Sequence, residues 1–415
     1  MVIKSRETTE QLNDIDTLVK WLASFGQSSN GGVNRLLYSN DWLKAQEALK
    51  TRMENDGLNT RYDGVGNLFG RLEGTDKNEK TILTGSHIDT VIDGGMFDGV
   101  YGIVASLLAT NRLYKKYGAP KKPIEVVSLC EEEGSRFPIT FWGSSNIIGK
   151  YKLDDGLNKK DTDGISILDA METVGFDKNA STSNIRDDIS SFIELHVEQG
   201  VVLEKTGNSL GIVTHIVGQR RFNIKVIGES NHAGTTPMSY RKDAMSISAQ
   251  IISYIADKAK ATDPDLVATV GKLNAKPNVP NVIAGEVLFT LDVRHYQDSV
   301  LDNFCNDISH YLKFISDEQE IDIHMDKWMS VEPVTMDAQL TETAKKIAKE
   351  KELSHQVLVS GAGHDAQVFG SFCPTVLLFV PSVNGISHSP KEFTKKEDLQ
   401  TGVELLTALL YELAY

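Results

Sequence analysis

The residues best suited to chemistry are histidines and carboxylates, and they fall in four short stretches. The first is Gly85-Ser86-His87-Ile88-Asp89-Thr90, followed by Gly94-Gly95-Met96-Phe97-Asp98-Gly99. A histidine at a strand end offers its imidazole to a cleft, and Asp89, two residues on, can orient that ring from behind. Asp98 is flanked by glycine, where backbone can fold tightly around an ion. The plainer alternative is a structural His87–Asp89 pair and a turn aspartate, and this stretch alone does not choose between them. The second stretch, Glu131-Glu132-Glu133-Gly134-Ser135-Arg136-Phe137, follows an apolar strand. Three adjacent carboxylates at a buried strand end repel one another unless cations lie between them. A solvated acidic loop is the alternative. The apolar run stops only at Cys130, however, so at least one glutamate is expected at the C-terminal edge of the sheet, where α/β sites form.

The third stretch is Phe192-Ile193-Glu194-Leu195-His196-Val197-Glu198-Gln199-Gly200. Alternation puts Glu194, His196 and Glu198 on one face of an extended segment, which could also be a solvated edge strand. The fourth, Gly385-Ile386-Ser387-His388-Ser389-Pro390, follows a strand ending in Phe379-Val380-Pro381. One His, one Asp, one Glu and two further His make a ligand set for two divalent ions sharing a bridging carboxylate.

The elements that must carry these residues alternate in the first third. Residues 39–56 have helical spacing, with Trp42, Leu43, Ala48, Leu49 and Met53 as core positions. Residues 65–72 read as a turn and strand, 81–84 as a strand ending at Gly85-Ser86-His87, 99–114 as a helix and 124–130 as a strand. This rhythm predicts a largely parallel α/β sheet. The middle differs. Residues 211–226 read as paired strands, 241–259 and 300–315 as helices, and 266–272, 283–294 and 321–325 as strands. That content suits a compact α+β insertion. Residues 338–351 then read as helix, 374–380 as strand and 396–415 as helix. The expected organisation is a discontinuous catalytic domain, 1–212 with 328–415, carrying an inserted domain at 213–327.

The 415 residues suggest two or three domains, and 40% hydrophobic with 24% charged residues is a globular composition. A formal net charge of −14 argues against a general nucleic-acid binder, whose footprint is basic. It leaves an anionic small substrate open, since a few local arginines can dominate a pocket. Three widely spaced cysteines make neither a disulfide framework nor a zinc knuckle. No apolar run approaches the ~20 residues needed to span a bilayer, and residues 1–16 lack a secretory h-region. A soluble cytoplasmic protein is the expectation.

With these motifs in view, the order His-x-Asp, Asp-Gly, Glu-Glu-Gly, His, His resembles the M20 metallopeptidase superfamily. Glu194-Leu195-His196-Val197-Glu198-Gln199-Gly200 points to its amidase/hydantoinase/carbamoylase branch, because ordinary M20 peptidases usually have an acidic ligand at the place of His196. Arg35-Leu36-Leu37-Tyr38-Ser39, Gly64-Val65-Gly66-Asn67-Leu68, Phe141-Trp142-Gly143-Ser144 and Gly361-Ala362-Gly363-His364-Asp365-Ala366-Gln367 look most like the branch's allantoate-hydrolysing members. The similarity runs from about residue 15 to the C-terminus.

The resemblance implies two divalent ions per subunit, zinc or manganese. His87 and His196 would bind one, Glu133 and His388 the other, with Asp98 bridging. Glu132 would be the general base and Asp89 would steer His87; Glu131 is left as a surface or outer residue without a role. Gln199, Arg221, His232, Asn281, Arg294 and Gly363 would meet substrate, His232 or Asn281 stabilising the oxyanion and His364-Asp365 buttressing Gly363. Taken alone, Arg294 reads as a solvated strand-end residue and His232 as a turn cap. The inserted domain would be a ferredoxin-like lid that pairs subunits into a homodimer. The implied reaction is hydrolysis of a ureido group on a small anionic substrate. N-carbamoyl-L-amino-acid hydrolysis is the alternative, and a non-catalytic binding protein on the same fold a distant one.

Overall fold

The computed structural model describes residues 14–151, 153–176 and 185–415, so residues 1–13, read for signal character, lie outside it. The chain divides into two compact units, Met1–Thr214 with Thr335–Tyr415, and His215–Val334.

Among the described residues, the first unit is built on a nine-stranded sheet in the order β1-β2-β4-β3-β5-β14-β6-β12, with β13 also paired to β6. The strands are β1 (Asn59–Tyr62), β2 (Leu68–Leu72), β3 (Thr81–His87), β4 (Ile124–Leu129), β5 (Ile189–Val197), β6 (Leu210–Ile216), β12 (Val334–Thr335), β13 (His355–Ser360) and β14 (Thr375–Val380). The sheet is mixed, which corrects the expectation of a mainly parallel one. β4, β3, β5 and β14 run parallel. β1 and β2 return antiparallel on one side, and β6 on the other. The four parallel strands are buried along nearly their whole length, the pattern of strands covered on both faces. Helices Val100–Tyr117 and Lys396–Ala414 contribute Ile103, Val104, Leu107, Val403, Leu406 and Leu410 to that core.

Helix Asn40–Asn55 forms where the spacing placed it, capped by the Ser39 side chain. Its buried face is Trp42, Ala45, Gln46, Leu49 and Met53, with Ala48 only partly covered. Residues 211–226 form two strands that do not pair with each other. β6 joins the large sheet, whereas β7 (Gly218–Ile227) begins the second unit.

That unit holds a five-stranded antiparallel sheet in the order β11-β7-β10-β8, with β9 paired to β10. Its other strands are β8 (Val267–Thr269), β9 (Leu273–Lys276), β10 (Glu286–His295) and β11 (Asp322–Val331). Strict alternation in β7 and β10 turns Phe222, Ile224, Val226, Val287, Phe289, Leu291 and Val293 to one face. Helices Ala244–Thr262 and Asp298–Gln319 pack there through Ile251, Ile255, Phe304 and Ile308. β11 runs past residue 328, so the unit ends at Val334.

Arg35 links the core to the strand ends. It is fully buried, and its guanidinium donates to the carbonyls of Ile88 (2.6 Å), Leu22 (3.0 Å) and Phe25 (2.9 Å). Burial pulls its pKa down to about 10, against the pull of Asp89 and Asp41. Each buried acceptor left without a donor costs about 1–3 kcal/mol. Arg35→Met should therefore lower the stability of the first unit by at least ~2 kcal/mol, read as a shift of its urea midpoint; an unchanged midpoint would remove Arg35 as a tie.

Candidate metal centre

The C-terminal ends of the four parallel strands deliver the chemistry, the usual place for a site in an α/β sheet. β3 ends in His87, β4 runs into Glu131-Glu132-Glu133, β5 carries His196 near its end, and β14 leads into the loop holding His388. Asp98 enters just before helix Val100–Tyr117, through Gly99 at φ +66°. A Cβ on Gly99 would come 2.3 Å from the His87 carbonyl oxygen and 2.7 Å from its ring, so only glycine lets the loop approach that closely.

Asp98 is buried, and three imidazoles meet its carboxylate. His87 Nε2 and His196 Nε2 lie 3.3 and 3.1 Å from Oδ1, and His388 Nε2 lies 3.2 Å from Oδ2. Glu133 Oε1 is 3.3 Å from His388 Nε2. The side chains form overlapping groups: His87, Asp98 and His196; Asp98, Glu133 and His388; and His87, Glu132 and Glu133. The structure thus brings together His87, Asp98, Glu132, Glu133, His196 and His388.

The other ring nitrogens test whether a cation fits. His196 Nδ1 lies 2.9 Å from the Val197 carbonyl oxygen, and His87 Nδ1 lies 3.1 Å from that of Asp89. With the Nδ1 atoms donating to these carbonyls, a neutral ring keeps its Nε2 lone pair on the side of the Asp98 oxygen, where that of His196 also accepts the Gly99 amide (3.1 Å). Electron pairs opposed to electron pairs call for a positive charge between them. The groups sharing Asp98 therefore fit divalent cations. Protonation is the other source of charge. Hydrogen bonds to Asp98 and Glu133 push the His388 imidazole up to about 11. Burial raises the Asp98 carboxyl, but hydrogen bonds from His196, His388 and His87 outweigh it and hold it well below the carboxylate range. Glu132 moves the other way, lifted by burial and by neighbouring Glu133.

Asp89 does more than flank His87, whose Nδ1 is 3.2 Å from its Oδ1. The two Asp89 oxygens also accept the main-chain amides of Glu132 (3.0 Å) and Glu133 (3.1 Å), fixing the glutamate loop. Gln199, at φ +57°, donates through Nε2 to Asp98 Oδ2 (2.9 Å). Glu131, expected at the surface or behind the ligands, is buried and accepts the Gly134 amide. Glu198 turns from the centre and accepts the amides of Val202 and Leu203, capping a short helix.

Sequence reasoning missed buried Glu392 and gave buried Glu194 and His364 no part in the centre itself. Glu194 accepts from Ser86 Oγ and the Ala366 amide, both at 2.7 Å. His364 packs edge-on against His196, with ring centroids 4.6 Å apart. Glu392 accepts the Phe97 and Asp98 amides. Alternation marked Glu194 as facing His196; Glu392 has no motif. Gly363 lies against the Phe141 ring.

Arg221, His232, Asn281 and Arg294 belong to the second unit. Arg221 and Arg294 share Asp292. Arg221 Nε reaches Oδ2 at 2.9 Å, and Arg294 makes a two-pronged contact at 3.1 Å to each oxygen. His232 Nδ1 accepts the Gly234 amide, and the Asn281 carbonyl accepts the Ala233 amide.

Residues 83–412 match a family described as peptidase family M20/M25/M40. The chain is 49% identical over 403 residues to a Bacillus subtilis (strain 168) allantoate amidohydrolase, covering 97% of this chain and 98% of that one. An Escherichia coli (strain K12) allantoate amidohydrolase is 47% identical over 401 residues, covering 97% and 98%. Among solved structures, an amidase of the hydantoinase/carbamoylase family from Burkholderia multivorans superposes with a TM-score of 0.92 at 31% identity, covering 96% and 97%.

Asp89→Asn should turn one acceptor into a donor facing a main-chain N–H. Urea titration should register a loss of about 1–3 kcal/mol. Wild-type stability would mean that the glutamate loop holds itself.

Proposed function

The chain belongs to peptidase family M20/M25/M40, and on that footing we propose that it is an allantoate amidohydrolase. It cleaves a ureido group of allantoate to give ureidoglycine, ammonia and carbon dioxide. The observation that carries this reading is identity of 49% and 47%, over 97% of the chain, to two relatives bearing that name.

The roles follow from chemistry at the strand ends. His87 and His196 would hold one divalent cation and Glu133 and His388 a second, with Asp98 serving both. Once bound, such cations make water more acidic and stabilise the negative charge that grows on the ureido oxygen. Glu132 accepts the proton from the attacking water and returns it to the leaving nitrogen. A carboxyl raised by burial and by Glu133 suits that task. Asp89 holds Glu132 and Glu133 through their amides, and Gln199 fixes the outer oxygen of Asp98. Zinc and manganese both suit this donor set.

Substrate recognition falls to Arg221, Arg294, His232 and Asn281 in the second unit, with Gly363 offering backbone. Arg294 is the carboxylate clamp, and Asp292 keeps its planar fork oriented. His232 or Asn281 donates to the oxyanion. The ferredoxin-like second unit acts as lid and pairs two subunits, a role that suits exposed Met238 and Tyr240. Three free cysteines suit a cytoplasmic enzyme of purine-derived nitrogen salvage.

The deciding experiment is turnover of metal-loaded protein on allantoate beside several N-carbamoyl-L-amino acids. Preference for allantoate, abolished by chelation and restored by added metal, is expected; preference for an N-carbamoyl amino acid would overturn the substrate. Glu132→Gln should retain metal and lose turnover by ~10²–10⁴-fold, and near wild-type rate at full occupancy would remove it from the mechanism. Arg294→Lys should raise KM for allantoate by roughly 10- to 100-fold, the worth of one charge-assisted hydrogen bond. Steady-state kinetics with unchanged KM would assign the carboxylate elsewhere.

A further inference from the structure

The loop after β14 folds back on itself. Val383 donates its amide to the Phe393 carbonyl (2.9 Å), and Thr394 Oγ1 donates to that of Pro381 (3.0 Å). Within it, Asn384 and His388 hold left-handed φ of +57° and +52°. Non-glycine residues keep such conformations only where their surroundings over-determine them.

Glu392 supplies that surrounding structure. It is 3% exposed and spends both oxygens on two different loops. Oε1 accepts the amides of Phe97 (2.9 Å) and Asp98 (3.1 Å). Oε2 accepts the hydroxyl of Ser387 (2.7 Å), the residue before His388. Gln199 Nε2 reaches the same Ser387 Oγ at 3.3 Å and Asp98 Oδ2 at 2.9 Å, closing a ring of hydrogen bonds around Asp98 and His388. Gly95 makes room for this carboxylate. A Cβ there would fall 2.1 Å from Glu392 Oε1 and 2.6 Å from its Cβ, although Gly95 does not have a positive φ and its backbone admits alanine.

We propose that Glu392 is a positioning residue that sets the separation of Asp98 and His388 and so forms the half of the centre made by Asp98, Glu133 and His388. The inference rests on the dinuclear reading above. His87 and His196 come from β3 and β5, with no hydrogen bond to Glu392, so the other half depends on it only through the shared Asp98 and keeps both imidazoles in place. Among the described residues Glu392 belongs to none of the groups able to hold a cation; it acts through two main-chain amides and one hydroxyl.

The test is calorimetric titration of the full-length, chelator-stripped protein with Mn²⁺. The wild type should bind two ions. Glu392→Ala should leave one ion tight and weaken the other by about 10- to 100-fold, the usual effect of removing a partner behind a ligand. Gly95→Ala should do the same, because its methyl displaces the carboxylate while leaving Glu392 in the chain. Glu392→Gln should restore binding, since Oε1 keeps both amides and Nε2 can donate to Ser387 Oγ. If Glu392→Ala does not fold, Gly95→Ala with Glu392→Gln still decides. Two ions bound at wild-type affinity in Gly95→Ala, or equal weakening of both, would overturn the inference while leaving the dinuclear centre standing. Fewer than two ions in the wild type would overturn the dinuclear reading and this inference with it.

Discussion

Three imidazoles converge on the Asp98 carboxylate, and the first unit is organised to make that possible. The approach needs His87 and His196 at the ends of adjacent parallel strands, with Nδ1 of each turned to a main-chain carbonyl. It also needs Gly99, because any side chain there would strike His87. The right order of strands alone would not suffice. A ring flipped by one rotamer would present N–H instead of a lone pair, and the cluster would no longer call for a cation.

The carboxylates around this cluster divide by what they accept. Asp89, Glu194, Glu198 and Glu392 each take main-chain amides. Accepted amides hold loops in place, so these residues serve as struts, although burial still raises the carboxyls of Glu194, Glu198 and Glu392. Asp98 and Glu133 instead face imidazole, and Glu132 faces other acids. Such a concentration of buried acid is tolerable only because the struts are satisfied by backbone and the inner groups by positive charge. A metal site and a folded loop cluster are thus one electrostatic problem, not two.

This division explains what the sequence disclosed. That His87, Asp98, Glu132, Glu133, His196 and His388 come together was legible from their residue types, with apolar runs marking the strand ends that carry or lead into most of them. The struts were not. Glu392 accepts amides 294 and 295 residues away, and any carboxylate at the right place would do, so no spacing announces it. Glu198 shared the face of His196 by alternation, but the strand ends at Val197 and the next turn swings its side chain to a helix N-terminus. The helices at residues 39–56 and 396–415 were read within a residue or two from their periodicity. Sheet direction was misjudged because β2 and β6 are as short and apolar as parallel strands, polar β1 was not read as a strand, and pairing partners are a tertiary choice. For the same reason β6 and β7, adjacent in sequence, separate into different sheets.

The second unit poses the complementary charge problem. The centre of the first unit is rich in acids and, apart from its imidazoles and any bound cation, has little to hold a free carboxylate. The polar face of the small sheet carries Arg221 and Arg294 opposite each other's strands, both anchored on Asp292. A single carboxylate shared by two guanidiniums keeps both planes oriented, where an arginine without such a contact would sample many rotamers. An anion that binds there meets donors already arranged and need not pay the full entropy of ordering two long side chains. The orientation also selects by shape, because a planar fork matches a carboxylate better than it matches a neutral amide of similar size.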